Sequence, residues 1–88
     1  MAANQRALVS VCWLDACTCD GWDDLADATC TQCIPMESIG FILERDKERI
    51  VLAQTIGTND QTSAVIAIPS GCITRIRTLK RCEKPRKE

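Results

Sequence analysis

Apolar side chains in this chain recur every second residue, in short runs separated by polar turn residues. Over residues 8–14, Val9, Val11 and Trp13 fall on one face, and Leu8, Ser10, Cys12 and Leu14 on the other. A β-branched and aromatic run with this period predicts a strand, because successive side chains of a strand point to opposite faces. The alternation is lost over residues 15–33, where Cys, Asp, Thr and Gly collect, so a long loop is expected there. Within it, residues 22–28 suit one or two helical turns, with Asp20 as the cap and Asp23 and Asp24 near the positive end of the helix.

Pro35 closes that loop, and residues 37–44 alternate again, with Ile39, Phe41 and Leu43 on one side. Arg45, Asp46, Lys47 and Glu48 form a charged turn leading into residues 50–56, where Ile50, Leu52 and Ile56 are in phase. These two segments predict a hairpin. Residues 57–62 are a polar connection in which Asn59 and Asp60 tolerate turn conformations. Residues 64–68 are nearly all apolar, as in a strand buried on both faces or covered by a neighbouring subunit. Pro69, Ser70 and Gly71 punctuate the chain. The short gap that follows fits one 3₁₀ turn before a last strand over residues 74–79.

Eighty-eight residues hold one domain with a modest core, a size at which burial is often completed by oligomerisation or a metal. The 45% hydrophobic and 26% charged fractions are those of a folding chain, not of a disordered one. The expected fold class is mainly β: a small five-stranded barrel with a long first loop and a short 3₁₀ turn before the last strand. Residues 1–79 are expected to form the single domain, and residues 80–88, charged and containing Pro85, a flexible tail. No apolar run approaches the ~20 residues of a membrane span, and Met1 to Arg6 has no export signal, so a cytoplasmic location is expected. The seven cysteines, an odd number, are then expected as reduced thiols.

The net charge of −1 hides a polarity along the chain. Residues 7–34 carry five acids and no base, while residues 75–88 carry seven bases and two acids. Such asymmetry can join subunits head to tail or place a basic tail on an anionic partner; a solvated loop and a solvated tail is the plainer alternative.

Catalytic chemistry finds little support. The chain has no His and no Tyr, the acids of the first loop have no neighbouring base, and the cysteines lack an imidazole partner. The glycines are scattered singly, with no phosphate-cradling loop. A non-enzymatic protein is expected.

Cys17, Cys19, Cys30 and Cys33 form two pairs on one loop, a donor set for tetrahedral zinc. The second pair has zinc-knuckle spacing, and the first is one residue tighter. Asp20, Asp23 and Asp24 add negative charge around an already anionic site, which weakens the case. The alternative is that Cys30 and Cys33 fill space under the loop while Cys17 and Cys19 are exposed thiols. Cys12 and Cys72 are expected to face a core, and Cys82 lies in the tail.

Trp13, in phase with Val9 and Val11, reads as core. Trp22 suits stacking on a nucleotide base or, as the simpler reading, capping the open end of the barrel. Arg75 and Arg77 emerge on one face of the last strand, and repeated around a ring they would form a band suited to phosphate. Solubility and edge protection are the plainer roles for both.

The order of five short strands, long first loop, central hairpin and tight turn resembles the Sm-like and Src-homology-like small barrels over residues 7–79. The segments Trp13-Leu14-Asp15-Ala16, Gly21-Trp22, Ser38-Ile39-Gly40 and Ile68-Pro69-Ser70-Gly71-Cys72-Ile73 resemble small proteins encoded by bacteriophages. That resemblance implies an accessory protein in the host cytoplasm that binds stoichiometrically, sequestering or blocking a host defence or regulatory factor or a small nucleotide-type anion. A homo-oligomer is expected. Asp15 and Ser38, which stand in those segments, join Trp22, Arg75 and Arg77 as candidate ligand-binding residues. The competing expectations are an Sm-like ring that binds RNA and a zinc-stapled interaction module.

Overall fold

The computed structural model describes residues 6–80. Its elements run β1 (Leu8–Asp15), α1 (Leu25–Ala28), β2 (Ile34–Arg45), β3 (Arg49–Ile56), β4 (Thr62–Pro69), a 3₁₀ turn (Ser70–Cys72) and β5 (Ile73–Thr78). The strands form one antiparallel sheet in the order β4-β3-β2-β1-β5. The strands and the 3₁₀ turn foreseen from the alternation are therefore present, and the helical segment shrinks to the single turn of α1. Asp24, and not Asp20, stands at its N-terminus, without a side-chain capping bond. Residues 81–88, where most of the expected tail and Cys82 lie, are outside the described residues. No helix among the described residues is long and apolar enough to cross a membrane.

The five antiparallel strands of the expected fold are present, but within one chain they do not close into a barrel. Closure would require β4 to pair with β5, and these are the two ends of the sheet order. The sheet is open. Its layers part instead at a split between β2 and β3. Residues 34–41 of β2 pair with β1 throughout, whereas β2 pairs with β3 only between Phe41 and Arg45. On the other side, β3 continues to Ile56 paired with β4 alone. Two antiparallel ribbons, β1-β2 and β3-β4, thus diverge from a common root.

Gly40 sits at that root. A Cβ there would lie 2.8 Å from the Ala53 carbonyl oxygen and 3.3 Å from the Leu52 Cβ, so only glycine lets β3 cross this closely. Ala64, on β4 beside the split, takes φ 56°, a left-handed conformation that costs an L-residue of this kind about 1–2 kcal/mol. The strain falls where β4 bends away, between the pairs Ala53–Val65 and Thr55–Ser63.

The core lies on one face of the sheet. Val9, Val11, Ile50, Leu52 and Ile68 pack together, with Trp13, Ile42, Ile66, Ile73 and Ile76 against them. Trp13 is thus at the core, as its phase predicts. For β4, burial on both faces is not found in the single chain: Ile68 is fully buried, but Val65, on the opposite face, is 50% exposed. The cause is that no layer covers the outer face of β4.

The β2–β3 turn is held by Asp46, whose Oδ1 accepts the backbone N–H groups of Glu48 and Arg49, each at 2.9 Å, and whose carboxylate pairs with the Arg49 guanidinium. The N–H group of Glu48 and then that of Arg49 hold the Asp46 carboxyl below its ordinary value, opposed by desolvation and helped, to a lesser extent, by the Arg49 charge. A depressed folded-state pKa gives stability that is present above the unfolded carboxylate value and lost as pH falls through the folded one. Asp46→Ala should therefore melt below the parent at neutral pH, with the two curves converging as pH drops below the carboxylate range. A deficit that is constant with pH would contradict this role.

Candidate functional site

Main-chain direction in β2 follows from one bond. The Ile42 N–H donates to the Ala7 carbonyl at 2.9 Å, and antiparallel pairs alternate between bonded and unbonded, so the even residues of β2 up to Ile42, before the bulge, direct their N–H and C=O groups to β1. The odd residues point the other way. Phe41 meets β3, but Glu37 and Ile39 direct their main-chain groups into the split, where no strand pairs with them. Pro35, which has no N–H, sits inside β2 on the same unpaired side, and this explains how a proline falls within a strand that was expected to begin after it.

The split opens as a groove of about 490 Å³ lined by Glu37, Ser38 and Ile39 of β2, Ala53 and Gln54 of β3, and Val65 of β4, among others. That volume lies within the range of small-ligand pockets. Ile39 and Val65 are each about half exposed on its walls.

Beside the groove lies a polar cluster on the outer face. Register places Ser10 opposite both Ile39 and Arg77, and Cys12 opposite both Glu37 and Arg75. The buried Ser10 hydroxyl donates to Glu37 Oε2, and the Arg77 guanidinium stands 4.0 Å from the same oxygen. Arg75 and Arg77 are both exposed, and Arg75 belongs to no ion pair among the described residues. The arginines thus emerge together, as their alternation predicts. Neither Ser10 nor Glu37 was foreseen, because only the register between three strands brings them together.

The other candidates lie apart from this cluster. Ser38 faces inward, where its Oγ accepts the Trp13 indole N–H at 3.1 Å, although its residue also borders the groove. Asp15 ends β1 and its Oδ1 accepts the Ala16 N–H at 2.8 Å. Trp22 does not cap an open end of the sheet. It is 102% exposed on an arm formed by residues 16–33, which lies almost wholly at the surface. The reason is directional: with the sheet open, no enclosed end lies beneath the loop for an indole to cover.

Cys17, Cys19, Cys30 and Cys33 lie on the same arm, and they, with Cys12 and Cys72, are free thiols. Among the described residues, no three His, Cys, Asp or Glu side chains gather closely enough to hold a metal ion. Cys12 and Cys72 are half-buried. The geometry therefore offers two features able to engage another molecule: a part-apolar groove with free main-chain groups, and an arginine pair on β5, across β1 from the groove. Comparison with known proteins finds no family model, no curated protein and no solved structure that matches this chain.

Proposed function

We propose that this protein is a non-enzymatic, phage-type accessory protein that acts by stoichiometric binding as a homo-oligomer, sequestering a small nucleotide-type anion or blocking a host defence or regulatory factor. One observation carries the reading. The described residues fully bury only Val9, Val11, Ile50, Leu52, Ala53 and Ile68 among their hydrophobics, yet leave Leu14, Trp22, Leu25, Ile34, Met36, Ile39 and Val65 exposed. A chain that exposes as many large apolar groups as it buries is built to be covered.

Assembly in this reading completes an Sm-like barrel between copies, with the free edge of β4 from one chain paired to the free edge of β5 from the next. Both edges present unpaired main-chain groups, and β4 carries no charge to discourage pairing. The Ser70 N–H bonds the Glu48 carbonyl at 2.9 Å, so by alternation Ala67 directs its own N–H to the free edge. Ala67→Pro removes that donor without cutting the β3–β4 ladder. It should lower the subunit number while leaving the fold intact; an unchanged assembly would argue against edge pairing.

For the ligand, Arg75 and Arg77 supply bidentate donors for phosphate. A cyclic or ADP-ribose-type nucleotide should raise the thermal midpoint of the parent and leave an Arg75→Ala, Arg77→Ala double variant unmoved. No shift with any such nucleotide would direct the reading to a protein target. An RNA-binding ring is the second reading, favoured by a strand order with two open ends and an arginine stripe on the last strand. It requires affinity that falls steeply with added salt, as counterion release dictates.

A further inference from the structure

The arm and the groove are each incomplete, and in opposite ways. Trp22 is 102% and Leu25 86% exposed, one just before α1 and the other its first residue, so the two largest apolar groups of the arm meet only water. Each forgoes about 1.5–3 kcal/mol of burial that a covering surface would recover. The groove has the complementary character: apolar walls at Ile39 and Val65, room for more than one side chain, and the unpaired main-chain groups of Glu37 and Ile39.

Charge selects the occupant. The arm carries Asp20, Asp23, Asp24 and Asp27 and no base. Arg75 and Arg77 stand on the same face of β5, one strand beyond β1, and from there Arg77 comes within 4.0 Å of Glu37 on the groove wall. In the single chain every arm residue from Thr18 to Cys33 is exposed.

We infer that the groove between β2 and β3 receives Trp22 and Leu25 from the arm of a second copy, whose aspartates pair with Arg75 and Arg77 of the receiving chain. The exchange is reciprocal, each copy giving an arm and offering a groove, and so closes as a two-fold dimer. It uses neither free edge of the sheet, and so goes beyond the edge-paired assembly proposed above and does not depend on it.

Sedimentation velocity on the full chain, over a range of concentrations, tests the exchange with an arm variant (Trp22→Ser, Leu25→Ser) and two groove variants (Ile39→Asp and, separately, Val65→Asp), each checked for folding by circular dichroism. Two groove variants are used so that failure of one to fold leaves the other informative. Each variant alone should dimerise at least about tenfold more weakly than the parent, as expected on losing a buried anchor. The decisive sample is an equimolar mixture of arm and groove variants. One supplies an intact groove and the other an intact arm, so the mixture should associate more tightly than either alone. A mixture no tighter than its components, variants that assemble like the parent, or a parent monomeric at every concentration would each overturn the inference. Repeating the mixture in the Ala67→Pro background separates the two modes: arm exchange survives that change, whereas edge pairing does not.

Discussion

Gly40→Ala should destabilise the protein by about 1–3 kcal/mol, the usual cost of forcing extra volume into a packed site. The added methyl would meet the Ala53 carbonyl oxygen at 2.8 Å and its carbon at 3.2 Å, and backbone atoms of a crossing strand cannot move aside as a side-chain tip can. For a domain of this size, each kcal/mol lowers the melting temperature by roughly 4–8 °C, so the loss is easily read by thermal denaturation. Gly21 and Gly71 serve as controls, because a Cβ at either position meets nothing within 4 Å. If Gly40→Ala melts with the Gly71→Ala control, the close crossing of β2 and β3 is wrong, and the divergence of the two ribbons with it.

The second large effect separates the two faces of β4. Ile68 is fully buried in the core cluster, and Ile68→Ala should cost about 2–5 kcal/mol through lost transfer energy and the cavity left behind. Val65 lies on the outer face, half exposed, and in a dilute monomer Val65→Ala should stay within about 0.5 kcal/mol of the parent. Under the proposed assembly, the same Val65 change should begin to lower the midpoint as protein concentration rises, because that face is then covered. Chemical denaturation of both variants at low and high protein concentration reads the difference. Equal and large losses at all concentrations would mean that Val65 is buried within the single chain.

Those contrasts show what was legible in the sequence and what was not. The alternation of Val9, Val11 and Trp13 located both β1 and its core face, since a period of two is a property of the chain alone. The alternation of Arg75 and Arg77 likewise placed both arginines on one face of β5. Sheet closure is different, since it depends on how two ribbons curve relative to each other. The split between β2 and β3 leaves no local trace beyond Gly40, whose need for glycine arises from the Ala53 carbonyl of another strand. The beginning of β2 was set too late because Pro35 reads as a breaker, until register shows that its missing N–H faces the unpaired side.

The site was read in the same uneven way. Trp22 was recognisable as an unplaced aromatic, but whether a loop folds over a sheet or stands away from it is decided by long-range packing, not by composition. The Ser10–Glu37–Arg77 cluster joins β1, β2 and β5, and no spacing within one segment could announce it. Ala64 is the least legible residue of all. Alanine gives no sign of a left-handed conformation, and only the bend of β4 beside the groove accounts for it.

The central claim is that this chain is completed by other copies of itself and then holds a partner. Native mass spectrometry of the protein purified from cells that make it tests it most directly, because subunit number and retained ligand are read together. The expected result is one dominant oligomer, carrying a small anionic ligand or a host protein in fixed proportion, that dissociates to smaller species when Trp22 and Leu25 are replaced by serine. A bare monomer at all working concentrations, unchanged by those substitutions, would contradict it.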